Sequence, residues 1–176
     1  MEQEIISAVD EQDTVTGTTT KQESHAHGIP HRVVAVFVRK GDELLVNTRH
    51  DTKNKDHSVG GHVRDNETYI DAAVRECAEE IGLSVAQADL IEVAHFFHDE
   101  TPRTKGLKHW FTLYTVDAPD NFHPIAQEGE VDALEYENMH AIQQRMRENP
   151  EQFAYGFLGT MNQYLAKNDP STTPII

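Results

Sequence analysis

The chain reads as an α/β sandwich, a mixed β-sheet with helices covering both of its sides. Three observations point there. Two apolar, β-branched runs, residues 32–39 (RVVAVFVR) and 43–47 (ELLVN), flank a Gly41-Asp42 turn, which is the signature of paired buried strands. A mid-chain segment, 68–81, carries Ile70, Val74, Cys77 and Ile81 at spacings of four, three and four, the stripe of an amphipathic helix. Two further helical segments follow the last strand. At 176 residues the chain is long enough to bury one core without crosslinks, and a single domain is expected over residues 1–167.

Taken in order, residues 1–30 form an N-terminal extension. Segments 4–9 and 15–21 flank a polar turn containing Asp10 and Asp13, and read as a hairpin. After the central hairpin and the helix, 90–97 and 110–116 read as strands separated by a charged loop over 99–108, and 131–136 as a shorter strand. Helices are expected over 139–148 and 151–166. The Pro-containing tail, 168–176, reads as disordered. Periodicity alone leaves the strand order open.

Composition narrows the function. Thirty acidic against fifteen basic residues give a formal charge of −15, which disfavours nonspecific contact with nucleic acid or an anionic membrane. No stretch approaches the ~18 apolar residues that span a bilayer, and no leader-like N-terminal pattern occurs, so a cytoplasmic protein is expected. The one cysteine, Cys77, excludes an internal disulfide, and on the apolar stripe it reads as a small core residue.

The chemistry concentrates in residues 61–83 (GHVRDNETYIDAAVRECAEEIGL). Gly61 is followed after five residues by Glu67 and after seven more by Arg75-Glu76-Cys77-Ala78-Glu79-Glu80-Ile81-Gly82-Leu83. Seven specified positions coincide by chance with a probability on the order of 10⁻⁸ per start site. On a helix, Glu76, Glu79 and Glu80 fall within an arc of about 100° opposite the apolar stripe. Their mutual repulsion costs roughly 0.2–0.5 kcal/mol per i,i+4 pair, a penalty that a divalent cation reverses. Hard oxygen donors suit Mg²⁺ or Mn²⁺ bridged to substrate phosphates. The alternative is a merely solvated acidic face. Gly60-Gly61, just before, reads either as a simple turn or as a place where backbone approaches a ligand.

This spacing resembles the Nudix box, the signature of hydrolases that act on diphosphate linkages. The resemblance implies the Nudix α/β/α sandwich and a Mg²⁺ or Mn²⁺ cofactor held by the Gly60 carbonyl with Glu76, Glu79 and Glu80. It further implies a small-molecule diphosphate substrate such as a nucleoside diphosphate linked to another group. One glutamate accepts the proton of the attacking water, Glu76 being ligand, base or both. Glu130 is a distal candidate with Glu128 behind it. Arg75 is expected to orient Glu76, and Glu67 to brace the loop, while Gly61 and Gly82 are structural. Family members are commonly homodimers.

Outside the box, the chain resembles the branch containing type 1 isopentenyl-diphosphate isomerases. His25, His31 and His62 stand where those enzymes place metal-binding histidines, although His62 reads equally as a substrate contact and the histidines as incidental. Arg49 and Lys53, in the basic segment 47–55, match residues implicated in diphosphate contact; ordinary surface charge is the alternative. Gly60 replaces the isomerase cysteine, and segment 107–110 (LKHW) offers no carboxylate where the isomerases have paired acids, so the isomerase metal site is expected to be incomplete. The intact box favours a hydrolase over an isomerase or a noncatalytic nucleotide sensor. Tyr69, Phe96, Phe97 and Trp110 read as core, with base stacking as the alternative.

Overall fold

The computed structural model describes residues 4–101, 106–126, 129 and 131–175. Along the chain run β1 (Ile5–Val9), β2 (Val15–Thr20), α1 (Lys21–His27), β3 (His31–Lys40), β4 (Glu43–Arg49), β5 (Lys55–Asp56) and β6 (Val59–His62). They are followed by α2 (Tyr69–Ile81), β7 (Ile91–Asp99), β8 (Lys108–Asp117), β9 (Val131–Asn138), α3 (Met139–Glu148) and α4 (Tyr155–Asn168).

The sheet is organised about β3, whose residues 33–38 are all buried, the signature of a strand covered on both faces. It pairs in parallel with β8 from His31↔His109 to Arg39↔Asp117, and antiparallel with β6 from Val33↔His62 to Val36↔Val59. β4 continues from its far end, β1 touches its start at Ala8↔His31, and β7 and β9 add antiparallel to β8 and β4. The sheet is therefore mixed, as expected.

Each face has its own core. Val33, Ala35, Phe37, Phe111 and Leu113 pack against Ile142, Met146, Phe157, Leu158 and Met161 of α3 and α4. Val34, Val36, Val38, Val59 and Val63 pack against Ala72, Ala73, Cys77 and Ile81 of α2. Alternate residues of β3 thus serve opposite layers, which is what a period of two dictates. No helix among the described residues is long and apolar enough to cross a membrane.

Several elements depart from the sequence reading. The first hairpin ends at Thr20, which caps α1: its side chain accepts from the Glu23 N–H, the Glu23 carboxylate accepts from the Thr20 N–H, and Gly28 closes the helix with φ +64°. β6 is a strand although its sequence, VGGH, has no strand signal. α4 starts at Tyr155 rather than 151, because Phe153 bridges to Lys55 and the Ala154 N–H bonds the Lys55 carbonyl, holding that stretch extended. The centre of the α2 stripe is Ala72, Ala73, Cys77 and Ile81, with Ile70 and Val74 only partly buried at its margin. The tail from Asp169, which reads as disordered, is bonded back instead: the Ile175 N–H donates to Asn162 Oδ1, Arg147 to the Thr173 carbonyl, and Ile175 packs on the α4 core.

Cys77 is fully buried, and burial pushes its thiol up to about 12. Since the thiolate is the reactive species, the native protein should react with a thiol-specific disulfide reagent only after denaturant is added. Immediate native labelling at pH 8 would place Cys77 elsewhere.

Candidate active site

The site is assembled where β6 passes the carboxylate face of α2. Thr68 caps that helix by accepting the Asp71 N–H, and Gly82, at φ +71°, ends it in the left-handed conformation that glycine adopts without strain. Between these caps the helix holds Arg75, Glu76, Glu79 and Glu80 in fixed angular relation.

Arg75 is the hub. Its Nε and Nη2 donate to the two carboxylate oxygens of Glu67, each at 2.9 Å, and Nη2 also reaches the His62 carbonyl at 3.0 Å. Nη1 donates to Glu76 at 2.6 Å and to Glu79 at 3.1 Å. Burial alone would raise the Glu67 carboxyl, but Arg75 and the Arg64 N–H together hold it below its ordinary value. Glu67 thus closes the loop between β6 and α2.

Glu76 differs from the expectation of a face wholly opposite the apolar stripe. It is only 8 % exposed and turned inward against β6. The reason is Gly61: a Cβ there would lie 2.1 Å from the Glu76 carboxyl carbon and one of its oxygens, so the carboxylate occupies the space a side chain would fill. Burial raises the Glu76 carboxyl above its usual range, with Arg75 pulling the other way. Glu79 stays exposed and also lies 3.5 Å from Arg64, while Glu80 accepts the Gly60 N–H at 3.0 Å. Among the expected metal ligands, Gly60, Glu76 and Glu80 therefore converge on the β6–α2 seam, with Glu79 at its open rim. All four offer oxygen, and the cradle at Gly61 is shaped for a carboxylate rather than a side chain. This donor set fits a Mg²⁺-class ion.

The basic residues lie apart. Arg49 pairs with Asp51 and Asp56, and Lys53 with Asp132, which also accepts from His50; their bonds join acids of the β4–β5–β9 edge rather than the box carboxylates. Glu128 and Glu130 lie outside the described residues.

His62 presents its carbonyl to Arg75, but its imidazole meets other imidazoles. Its Nε2 lies 3.1 Å from Nε2 of His25, and one nitrogen from each of His25, His31, His62 and His109 falls within 4.8 Å of every other. Burial, reinforced by the neighbouring rings and Lys21, pushes His25 down to about 4 and His31 to about 3, and lowers His62 as well. These three are neutral at pH 7. Segment 107–110 thus contributes an imidazole where the sequence reading finds only a missing carboxylate. His109 escaped notice because nothing in its local spacing marks it; only the parallel register of β3 and β8 sets it beside His31.

Residues 29–157 match the NUDIX domain model. The chain belongs to the Nudix family. It is 32 % identical over 158 residues to an isopentenyl-diphosphate Delta-isomerase of Pectobacterium atrosepticum, covering 85 % of this chain and 84 % of that one. It is 33 % identical over 131 residues to an uncharacterized Nudix hydrolase of Streptomyces coelicolor, covering 71 % and 70 %. A crystal structure from Deinococcus radiodurans shares the fold with a TM-score of 0.66 at 24 % identity, over 83 % of this chain and 90 % of that one. A Nudix hydrolase from Nitrosomonas europaea does so at 0.62 and 15 %, over 83 % and 98 %. Membership in the Nudix hydrolases makes this an enzyme of the general pyrophosphohydrolase type.

The Gly61 cradle gives a direct test of this Nudix site. Gly61→Ala must displace the Glu76 carboxylate, and an overpacked site of this kind costs about 1–3 kcal/mol. Urea unfolding should show that loss, and an unchanged midpoint would mean Glu76 does not occupy the cradle.

Proposed function

We propose that the protein is a Mg²⁺- or Mn²⁺-dependent pyrophosphohydrolase that cleaves the phosphoanhydride of a nucleoside diphosphate linked to another moiety, or of a related compound. The observation that carries this reading is the meeting of Glu76 and Glu80 with the Gly60-Gly61 strand, with Glu79 at the rim and one arginine bonded to both Glu76 and Glu79.

Glu79 and Glu80, with Glu76 and the Gly60 carbonyl, would hold the cation. When bound, the ion supplies Lewis-acid polarisation of the phosphate oxygens and of the attacking water. A box glutamate accepts the water proton as the oxygen–phosphorus bond forms and the anhydride bond to the leaving phosphate breaks. Glu76 suits that role in one respect, since burial raises its carboxyl toward the range of a useful base. Arg75 acts as a positioning residue, and Glu67 holds Arg75. Contact of Arg49 and Lys53 with phosphate would require them to leave Asp51, Asp56 and Asp132. His62 faces the imidazoles and is given no phosphate contact.

A second reading, an isomerase acting on isopentenyl diphosphate, is favoured by the isomerase-named relatives and by the meeting of His25, His31 and His62. Against it stand Gly60 in place of the isomerase cysteine and the absence of a carboxylate from 107–110. Proton exchange into isopentenyl diphosphate tests it directly.

Phosphate release should be measured over nucleoside diphosphates and triphosphates, dinucleotides, nucleotide sugars and isopentenyl diphosphate, with Mg²⁺, Mn²⁺ or EDTA. Turnover is expected to require metal and to fall by about 10²-fold or more in Glu79→Gln and Glu80→Gln, since even residues that only support metal ligands are worth about 10–100-fold, with circular dichroism unchanged. Wild-type rates in both variants would take these residues out of the mechanism. No turnover with any compound, but tight metal-dependent binding of one, would favour a sensor.

A further inference from the structure

We propose that Arg64 binds the substrate's diphosphate at the rim of the box site, and that Glu79 holds it back until a cation is seated. This rests on the hydrolase reading for the class of ligand, and it brings the N-terminal extension into the site through Glu4.

The box fixes the backbone of Arg64. Its N–H donates to Glu67 Oε2 at 2.9 Å, and its carbonyl accepts the Glu67 N–H at 3.1 Å. β1 closes on the same turn from the other side. Ile6 bridges to Arg64, the Asp65 N–H donates to the Ile5 carbonyl at 3.0 Å, and Ser7 Oγ donates to Asp65 Oδ1 at 2.8 Å. Arg64 therefore leaves a pinned loop, with only its side chain able to change partners.

That side chain is held loosely. It is 47 % exposed, with Nε 3.3 Å from Glu4 and Nη2 3.5 Å from Glu79. Arg75, by contrast, is mostly buried and reaches Glu76 at 2.6 Å and Glu79 at 3.1 Å. Exposed ion pairs contribute little to stability, whereas breaking a buried one leaves a charge uncompensated. Releasing Arg64 from Glu79 thus disturbs the site far less than releasing Arg75.

Glu79 is also the rim ligand expected for the cation. Once its carboxylate serves a divalent ion, its attraction for a guanidinium 3.5 Å away falls, and Nη2 of Arg64 is freed without uncovering an acid. Nε stays with Glu4, so the guanidinium remains at the rim rather than swinging into solvent. Its outer nitrogens then form the planar fork that matches the oxygens of a phosphate. Glu4 acts here as a positioning residue. Metal binding and recruitment of Arg64 are one exchange, in which the diphosphate follows the ion.

The test is calorimetric binding of methylenediphosphonate, whose P–C–P bridge resists hydrolysis, to the full-length chain in excess Mg²⁺ and in EDTA. In Mg²⁺ the wild type should bind, and Arg64→Ala should bind about 10–100-fold more weakly, the scale of one lost charged hydrogen bond. Arg64→Lys should restore part of the loss. Both variants keep the backbone bonds to Glu67, and circular dichroism checks the fold. In EDTA, Glu79→Gln should bind more tightly than the wild type because Arg64 is released, and adding Arg64→Ala should remove that gain. A gain that survives comes from charge removal alone and overturns the exchange. Turnover separates this from the hydrolase reading: Arg64→Ala should raise KM by the same factor with kcat nearly unchanged. Metal-dependent turnover with a wild-type KM in Arg64→Ala would overturn the proposal and leave the hydrolase standing. Binding that depends on Arg64, with no compound turned over, would do the reverse. No binding by the wild type in Mg²⁺, or equal binding by Arg64→Ala, would also overturn it.

Discussion

The Arg75 guanidinium is the interaction on which the rest of the site depends. Its bonds to Glu67, Glu76, Glu79 and the His62 carbonyl tie a loop, a helix and a strand to one planar cation. A carboxylate as buried as Glu76 is stable only when paired and hydrogen-bonded, because desolvation costs several kcal/mol per ion. The same cation offsets the repulsion among Glu76, Glu79 and Glu80 that would otherwise fray the helix. Lysine could not substitute: the bonds run to Glu67 side-on and to Glu76 and Glu79 from the other edge, which needs a flat fork rather than a point charge.

β6 converts that anchoring into a two-sided element. Toward α2 it presents Gly61, whose missing side chain admits Glu76, while the Gly60 N–H reaches Glu80. Toward the opposite face it presents the His62 imidazole. A strand alternates its side chains, so two adjacent residues serve different layers without competing for space. The His62 carbonyl bond to Arg75 links the two faces through backbone.

The sequence displayed the carboxylate helix because all its members lie within a few turns of one helix, and local spacing is what periodicity reads. It displayed the central hairpin for the same reason. β6 was hidden because glycines chosen for close approach carry no strand propensity. α1 was readable from Thr20, Glu23 and Gly28, a capping box followed by a left-handed cap. Glu76 turning inward was not legible from α2 alone, since it depends on what stands opposite at Gly61. His109 belongs to the same class: its neighbours come from a parallel pairing across 78 positions of chain (His31↔His109), and no local pattern encodes that register.

Charge supplies the last link between this architecture and its chemistry. A chain of formal charge −15 that gathers three carboxylates on one seam repels a diphosphate. Four of the basic side chains that could offset this are already engaged: Arg75 by the box itself, Arg64 by Glu4 and Glu79, Arg49 by Asp51 and Asp56, and Lys53 by Asp132. Freeing one of them exposes an equal negative charge, so rearrangement among these pairs brings no net attraction. A divalent cation does, because it adds two charges without uncovering an acid. On the proposed reading, the carboxylate seam would repel a diphosphate until an ion is seated, so electrostatics alone would call for a metal before any role in polarising phosphorus is considered.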